Sequence, residues 1–462
     1  MTALRFSDIS ATIDARLIGK DGEFFGASTD SRHLRPGDLF VALRGPRFDG
    51  HDFVAQVDVS GVRAVMVDHP CNTAVTQIVV GDTRLGFGAL AKLWRRQFSL
   101  PVIGVTGSNG KTTVKEMLAA ILNGLGETLV TQGNLNNEIG VPMTLLRLRE
   151  SHRYAVIEMG ANHPKEIAYL TSLAIPDVGL ITNAGPAHLE GFGDIKGVAI
   201  AKAELFEGLA NNGTAVINAD DEYEQLWRKR ASHCHALTFG IENSDVAIRG
   251  EWRPELNRLL IRTAQGDSEV NLPLAGIHNA RNALAAAAAA AAVGAGPSEI
   301  KSGLETMQPV VGRLYPRKGI YGLQILDDTY NANPASVKAA LEVARTMPGE
   351  MWLVLGDMGE LGPNTIQLHA EIGERASQCG AKRLYAYGPL SRAACKKFGG
   401  AAFAFDDIQM LIEVLRNAAQ QSRDSQINLL IKGSRAMRME RVVAELLDDG
   451  EAAKTLRSVT GH

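Results

Sequence analysis

The chain has 462 residues, 45% of them hydrophobic and 21% charged, with 48 basic against 51 acidic side chains. At about 150 residues per domain, this length predicts about three domains whose cores need no disulfide or metal staple. The composition excludes a largely disordered chain, and a formal net charge of −3 offers no basic excess to nucleic acid or a membrane surface. Cys71, Cys234, Cys379 and Cys395 form no CxxC pair, which disfavours a disulfide framework and a zinc site and fits a reducing compartment. The opening MTALRFSDISATIDARL is broken by Arg5, Asp8, Asp14 and Arg16, unlike a signal peptide. The longest uncharged apolar run, Ala283–Val293, is too short for a bilayer core of ~30 Å. A cytoplasmic protein without membrane insertion is the expectation.

In chain order, the first eighty or so residues read as short strands and turns, among them DLFVAL (38–43), RAVMVD (63–68) and QIVV (77–80). These runs are β-branched and bounded by turn residues. From 85 to 98 the spacing predicts a helix, and PVIGVTG (101–107) a buried strand running into a glycine-rich turn. Strands YAVIEMG (154–160), DVGLITNAG (177–185) and GTAVINAD (213–220) then alternate with helical stretches, the pattern of a parallel, doubly wound sheet. Residues 240–275 read as an antiparallel appendage of short strands, and the eight alanines 285–292 as a helix ended by Gly294. Beyond a second boundary near VVGRLYPR (310–317), LQILDD, MWLVLGD, RLYAYG, AFAF and NLLIKGS predict another open α/β unit. The fold class expected is α/β in three domains, at 1–82, 83–309 and 310–462, with mostly parallel sheets in the centre. No short tandem repeat is present.

The strongest motif is GVTGSNGKTT (104–113). Glycines let the backbone curl so that N–H groups converge on phosphate oxygens, and a helix N-terminus adds partial positive charge. Lys111 would serve as a point charge for β/γ-phosphates, and the Thr112 hydroxyl would face Mg²⁺. Position 105 is Val where the strict P-loop pattern has Gly. The motif points to a nucleoside triphosphate without choosing between kinase, ATPase and ligase.

Other candidates carry two readings each. Glu158 ends a predicted strand beside the phosphate loop, as a Mg²⁺-holding acid does, or as an ordinary strand-end carboxylate. His188 follows another strand end, and from spacing alone a functional and a structural histidine are even. Lys202, within AIAKAELFEGL, reads alone as a solvated helix lysine. Asn279 and Asn282 could read an adenine edge, but capping the alanine helix is the commoner use. Arg313 could reach a transferring phosphate like an arginine finger or form a hinge salt bridge. Asp327, Asp328 and Tyr330 lie at a strand end, the ligand edge of an open sheet. Lys432, Ser434, Arg435 and Arg438 could bind a carboxylate or begin an ordinary basic helix.

Taken together, GVTGSNGKTT, GNLNNEIGVP (133–142), EMGA (158–161), NAGPAHLEGFG (183–193), AKAELF (201–206), GIHNARN (276–282), VVGR and DDTYNANP resemble the Mur ligases of peptidoglycan synthesis. NLNNEIGVP, DDTYNANP and GDMGELG (356–362) resemble the MurF type, from STDSR (28–32) to KGSRAMR (432–438). Asn333-Pro334 is followed by Ala335, not by the Arg of the diaminopimelate-adding sibling. The resemblance implies an N-terminal UDP-sugar domain, a central P-loop ATPase domain and a C-terminal Rossmann-like domain that closes during catalysis. It implies Ser28, Thr29, Asp30, Ser31 and Arg32, helped by GPRFDGHDF (45–53), near UDP, and Asn134, Asn136, Asn137 and Glu138 on the muramoyl-peptide side. It also implies ATP on Gly107, Ser108, Asn109, Gly110, Lys111, Thr112 and Thr113, with Asn279 and Asn282 at adenine. Arg313 would meet the γ-phosphate, and Asp328 and Tyr330 would meet the nucleotide from the third domain. Thr112, Glu158, His188 and Lys202 would hold two Mg²⁺ ions, Lys202 as a carbamate made with CO₂, which reverses its solvated reading. Lys432 and Ser434 would lie near D-Ala-D-Ala. The chemistry implied is attack of the carboxylate of UDP-MurNAc-tripeptide on ATP, then of the dipeptide amine on the acyl phosphate, by a monomer. Rival expectations are another ligase of the same fold, such as a folylpolyglutamate type, and a P-loop ATPase or switch that forms no bond.

Overall fold

The computed structural model describes residues 4–46, 48–57 and 61–451. Arg47, within the segment expected to help hold UDP, lies outside the described residues. Three sheets carry the fold. The first holds β1 (Arg16–Ile18), β2 (Gly26–Ser28), β3 (Asp38–Val41), β4 (Ala64–Val67) and β5 (Thr76–Val79). Their order is β1-β5-β4-β3-β2, all neighbours parallel except β1 against β5. Helix α1 (Thr83–Arg95), capped by Asp82 through the backbone N–H groups of Arg84 and Leu85, follows it.

The second sheet has nine strands. Its parallel part is β6 (Val102–Thr106), β7 (Thr128–Val130), β8 (Tyr154–Glu158), β9 (Val178–Ile181), β10 (Thr214–Asn218), β11 (His235–Gly240) and β12 (Ile248–Arg253). β13 (Arg258–Thr263) and β14 (Gly266–Asn271) complete it, in the order β7-β8-β6-β9-β10-β11-β12-β13-β14. The stretch expected as an antiparallel appendage is thus part of the main sheet. Strand β12 joins β11 in parallel, and only the β12-β13-β14 ribbon is antiparallel. The period-2 pattern of this ribbon reports its one wet face, not detachment from the sheet.

The third sheet runs β15-β16-β20-β17-β18-β19. Its members are β15 (Tyr315–Lys318), β16 (Gln324–Asp328), β17 (Glu350–Gly356), β18 (Arg383–Tyr387), β19 (Ala401–Phe405) and β20 (Ile427–Lys432). All its neighbours are parallel except β15 against β16.

The central parallel strands of each sheet are buried on both faces, as such strands require. One core runs continuously from the first sheet into the second, joining Phe24, Met66 and Ile78 through Phe87, Leu90 and Trp94 of α1 to Leu145, Ile157 and Leu170. The Trp94 indole N–H donates to Leu148 O at 3.2 Å, satisfying its polar edge. The opposite face of the second sheet packs on α2 (Lys111–Asn123) and the alanine helix α4 (Ile277–Ala292). Between them in sequence, α3 (Ile195–Glu207) lies on the first face. Residues Ala285–Ala290 are buried, and their small side chains let α4 lie close on α2 and β11. This helix starts eight residues earlier than its alanine run, because a helix needs only the fit of one face to its core.

Candidate active site

The phosphate loop forms because β6 is buried throughout and its chain must then turn sharply into α2. Gly107 (φ +146) and Gly110 (φ +83) take conformations that L-residues avoid, and a Cβ at either would strike Thr182 Oγ1 at 1.9 Å or Asn282 Oδ1 at 2.3 Å. The neighbouring strand end braces the loop. Asn183 Oδ1 accepts from Asn109 N at 3.0 Å, Thr182 Oγ1 donates to Asn109 O at 2.6 Å, and Ser108 Oγ donates to Gly185 O at 3.1 Å. Lys111 folds back, donating to Gly107 O at 2.6 Å, so its ammonium marks the hollow a phosphate would fill. Burial pushes Lys111 down from its ordinary pKa, Glu158 opposing the shift. Thr113 is buried at the start of α2.

The parallel register aligns Glu158, at the end of β8, with Val105 of β6. Glu158 is 1% exposed. Its Oε1 accepts from Asn136 Nδ2 at 2.8 Å, while Oε2 is buried with no hydrogen-bond partner among the described residues. A buried carboxylate oxygen left without a donor offers a place to a cation. Thr112, Glu158 and His188 line one cavity, an oxygen-rich set with one imidazole, which suits a divalent cation. His188 sits in the left-handed region (φ 53) and forms an ion pair with Glu360 of the third domain. Burial pushes its pKa down, the Glu360 carboxylate opposing the shift.

Lys202 is 2% exposed on α3, so the solvated reading fails. Its Nζ forms no hydrogen bond or ion pair among the described residues and stands 5.6 Å from the Phe192 ring centre. Burial, then the charge of Lys111, pushes it down to about 7. A substantial part of such an amine is unprotonated near neutrality, the form that adds to CO₂.

Two cavities meet on the loop. The first, about 460 Å³, includes Gly110, Asn279, Asn282, Arg313 and Asp328; the second, about 520 Å³, includes Lys111, Thr112, Glu158, His188, Arg313 and Tyr330. The capping expected of the two asparagines does not occur. Gly276 is the N-cap, Asn279 Nδ2 donates to Ala275 O at 2.8 Å, and Asn282 Nδ2 donates to Asn279 Oδ1 at 3.3 Å. Nor does Arg313 make a hinge salt bridge among the described residues. It donates to Thr112 Oγ1 at 3.3 Å and stacks on Tyr330, 4.2 Å from its ring centre.

Lys432, expected to face an incoming carboxylate, is instead held by Asp328 Oδ2 at 2.6 Å and Asn331 O at 2.8 Å. Its charge is neutralised within the third domain, because the parallel register puts Asp328 opposite Lys432. Ser434 lies just beyond, its N–H on Asp357 O at 2.9 Å.

Residues 28–32 follow the carboxyl end of β2, the ligand edge of its sheet. Asp30 and Arg32 already form a bidentate pair at 2.9 and 2.7 Å, and Ser28 Oγ accepts from Asp30 N at 3.1 Å; Thr29 and Ser31 are half-buried beside them. Asn134, Asn136, Asn137 and Glu138 line the second cavity. Asn137 also accepts from Gly140 N at 2.9 Å, and Glu138 lies 3.9 Å from Arg84 of α1.

Three residues at the site carried no signal read from the sequence. Asn183 lies within a quoted motif but gives no hint that it braces the loop. Asn333 Nδ2 donates across the cleft to Asn109 Oδ1 at 2.7 Å. Glu360 belongs to a motif that served only to mark the type.

Comparison with known proteins agrees with this geometry. Residues 24–92 match the Mur ligase family catalytic domain, residues 105–290 the Mur ligase middle domain, and residues 312–435 the Mur ligase glutamate ligase domain. The chain is 42% identical over 453 residues to UDP-N-acetylmuramoyl-tripeptide–D-alanyl-D-alanine ligase of Escherichia coli (strain K12), covering 97% of this chain and 100% of that protein. It superposes on a crystal structure of MurF from Acinetobacter baumannii with a TM-score of 0.90 at 38% identity, covering 96% and 99% of the two chains. A MurF ligase of Thermotoga maritima, crystallised in complex with ADP, matches with a TM-score of 0.80 at 29% identity, covering 90% and 96%. The chain belongs to the Mur ligase family, to its MurF type.

Proposed function

We infer that this chain joins D-alanyl-D-alanine to UDP-N-acetylmuramoyl-tripeptide at the expense of ATP, in the synthesis of peptidoglycan precursor. The observation that carries the reading is the meeting of the two cavities at Gly110 and Arg313. A nucleotide in the first cavity presents its terminal phosphate to an acid in the second. A P-loop switch needs no second compartment, and this one is lined by the asparagine cluster of 134–137 and by Asn331 and Asn333.

The chemistry follows from charge. A carboxylate oxygen of the tripeptide attacks the γ-phosphorus, ADP leaves, and an acyl phosphate forms. The free amine of the dipeptide then adds to the acyl carbon and loses a proton, and phosphate departs with the original carboxylate oxygen. Two anions must approach, and Lys111 and Arg313 oppose their repulsion. Thr112, Glu158 and His188, with Lys202 as a carbamate, would hold two Mg²⁺ ions, and the orphaned Glu158 Oε2 supports this set. Bound there, the metal supplies further neutralisation of the phosphoryl group. Carbamylation joins the Lys202 amine to CO₂ with loss of one proton, replacing a buried amine by an anion.

Asn279 and Asn282 would hold the adenine, with Asp328, Tyr330 and the loop residues 107–113 on the rest of the nucleotide. Residues 28–32 would hold the UDP end. The dipeptide would enter beside Ser434 and Arg435, the latter lining the second cavity, while Lys432 fixes Asp328. No helix among the described residues is long and apolar enough to cross a membrane.

Labelling the terminal carboxylate of the tripeptide with ¹⁸O tests the reaction. One labelled oxygen per turnover should appear in released phosphate. Phosphate carrying oxygen from water alone would refute the acyl-phosphate route.

A further inference from the structure

The loop that follows β17 is built to present one carboxylate. Met358 and Leu361 on either side of it are buried in the third domain's core. The Met358 N–H donates to Nε2 of the buried His369 at 2.9 Å, and His369 Nδ1 lies 2.7 Å from Thr365 O. Asp357 Oδ1 accepts from Leu390 N at 3.1 Å and Ser391 N at 2.7 Å. Between these anchors Glu360 stands half exposed in the left-handed region (φ 61), a conformation that disfavours a residue of its kind.

Its carboxylate does not face its own domain. It crosses the cleft to Nδ1 of His188, which is also left-handed (φ 53), and Glu360 O accepts from Leu189 N at 3.2 Å. Unfavourable backbone on both sides of one contact, each fixed by its surroundings, marks a place where position matters more than local stability.

We propose that Glu360 is a positioning residue for the divalent-cation site: its carboxylate takes the Nδ1 side of His188 and leaves Nε2 free for the metal. Metal-binding imidazoles are commonly oriented by a carboxylate on the other ring nitrogen, which fixes the tautomer and raises ligand basicity. Here the carboxylate comes from a different domain from the imidazole. The site is therefore complete only while the third domain is seated on the second. This rests on the reading of His188 as a metal ligand given above.

The test uses the full chain with a non-hydrolysable ATP analogue and Mn²⁺ as the probe, bound metal being followed by electron paramagnetic resonance. Glu360→Ala should weaken protein-bound Mn²⁺ by about tenfold or more. Glu360→Gln, which still offers an oxygen to an N–H, should lose less. His188→Ala should lose at least as much as Glu360→Ala. In parallel, ¹⁵N shifts of the His188 ring should report the Nδ1–H tautomer in the wild type and a mixture in Glu360→Ala. A simple tether between domains would leave that ratio unchanged.

If His188→Ala binds Mn²⁺ as the wild type does, the metal assignment itself is wrong and this proposal falls with it. If His188→Ala loses the metal while Glu360→Ala keeps both affinity and tautomer, only the present proposal is overturned. Should Glu360→Ala not fold, Glu360→Gln and Glu360→Asp decide. Wild-type affinity and tautomer in both would contradict the proposal.

Discussion

Lys111 and Arg313 face the junction of the two cavities, and their effects should separate. Lys111→Ala should abolish phosphate release, because the charge that draws the triphosphate into the loop is gone. Near-normal turnover would count against it. Arg313→Ala should lower kcat far more than nucleotide affinity, since a charge near a transferring phosphoryl group acts chiefly in the transition state; equal losses in the two would indicate simple binding.

Lys202 makes a different forecast. Its pKa is about 7 in the folded chain against an ordinary 10.5. Between those values the unfolded chain binds more protons, so this residue's contribution to stability rises with pH across that window and is flat below it. Relative to Lys202→Met, the wild type should gain up to roughly 1.4 kcal/mol per pH unit from pH 7 to 9 in urea unfolding. With CO₂ excluded, so that the amine stays free, a constant difference would contradict its burial. Small carboxylates such as formate should partly rescue Lys202→Ala turnover by refilling an anionic position, and no rescue would weaken the carbamate reading.

At this scale the sequence was legible where chemistry is concentrated in one motif, as in 104–113. It was not legible where burial decides. Nothing in AIAKAELFEGL says that Lys202 faces inward, and nothing in KGSRAMR says that Lys432 is already paired with Asp328.

Among the elements, the strand ends matter most. Glu158, Thr106 and Ile181 finish three adjacent parallel strands, so one sheet edge gathers the phosphate loop, the acid and the bracing Asn183. The alternation of strand and helix announces that edge in the sequence. The span of α4 was harder to see. The alanine run marks its centre, but the turn with Asn279 and Asn282 reads as a cap until packing shows it inside the helix. Since Ala287 is fully buried where α4 lies close to its neighbours, Ala287→Leu should overpack the interface and cost about 1–3 kcal/mol in denaturant unfolding. An unchanged midpoint would mean that the contact is looser than described.

Over the whole molecule, the first two domains share one apolar core, while polar contacts join the third to the second, among them Arg313 on Thr112, Asn333 on Asn109 and Glu360 on His188. Such contacts between distant segments leave no periodic trace in a sequence, which is why the three-domain plan could be read and the pairing of Asn333 with Asn109 and of Glu360 with His188 could not. Asn333 also caps its own helix, accepting from Ser336 N at 2.9 Å. Asn333→Asp keeps a cap oxygen and removes the amide donor to Asn109, so it should melt close to the wild type yet lose catalytic efficiency. A large loss of stability with unchanged kcat/KM would assign Asn333 to the helix alone.

The central claim is that one enclosed cleft passes a phosphoryl group to a peptide acid and then an acyl group to one particular amine. It is tested most directly by measuring phosphate release and peptide joining together, with ATP, Mg²⁺, UDP-N-acetylmuramoyl-tripeptide and a panel of amines. The account predicts equal yields of phosphate and joined peptide with D-alanyl-D-alanine, and little of either with L-lysine, diaminopimelate or D-glutamate. Full-rate ATP hydrolysis without the tripeptide, or joining to those other amines, would contradict it.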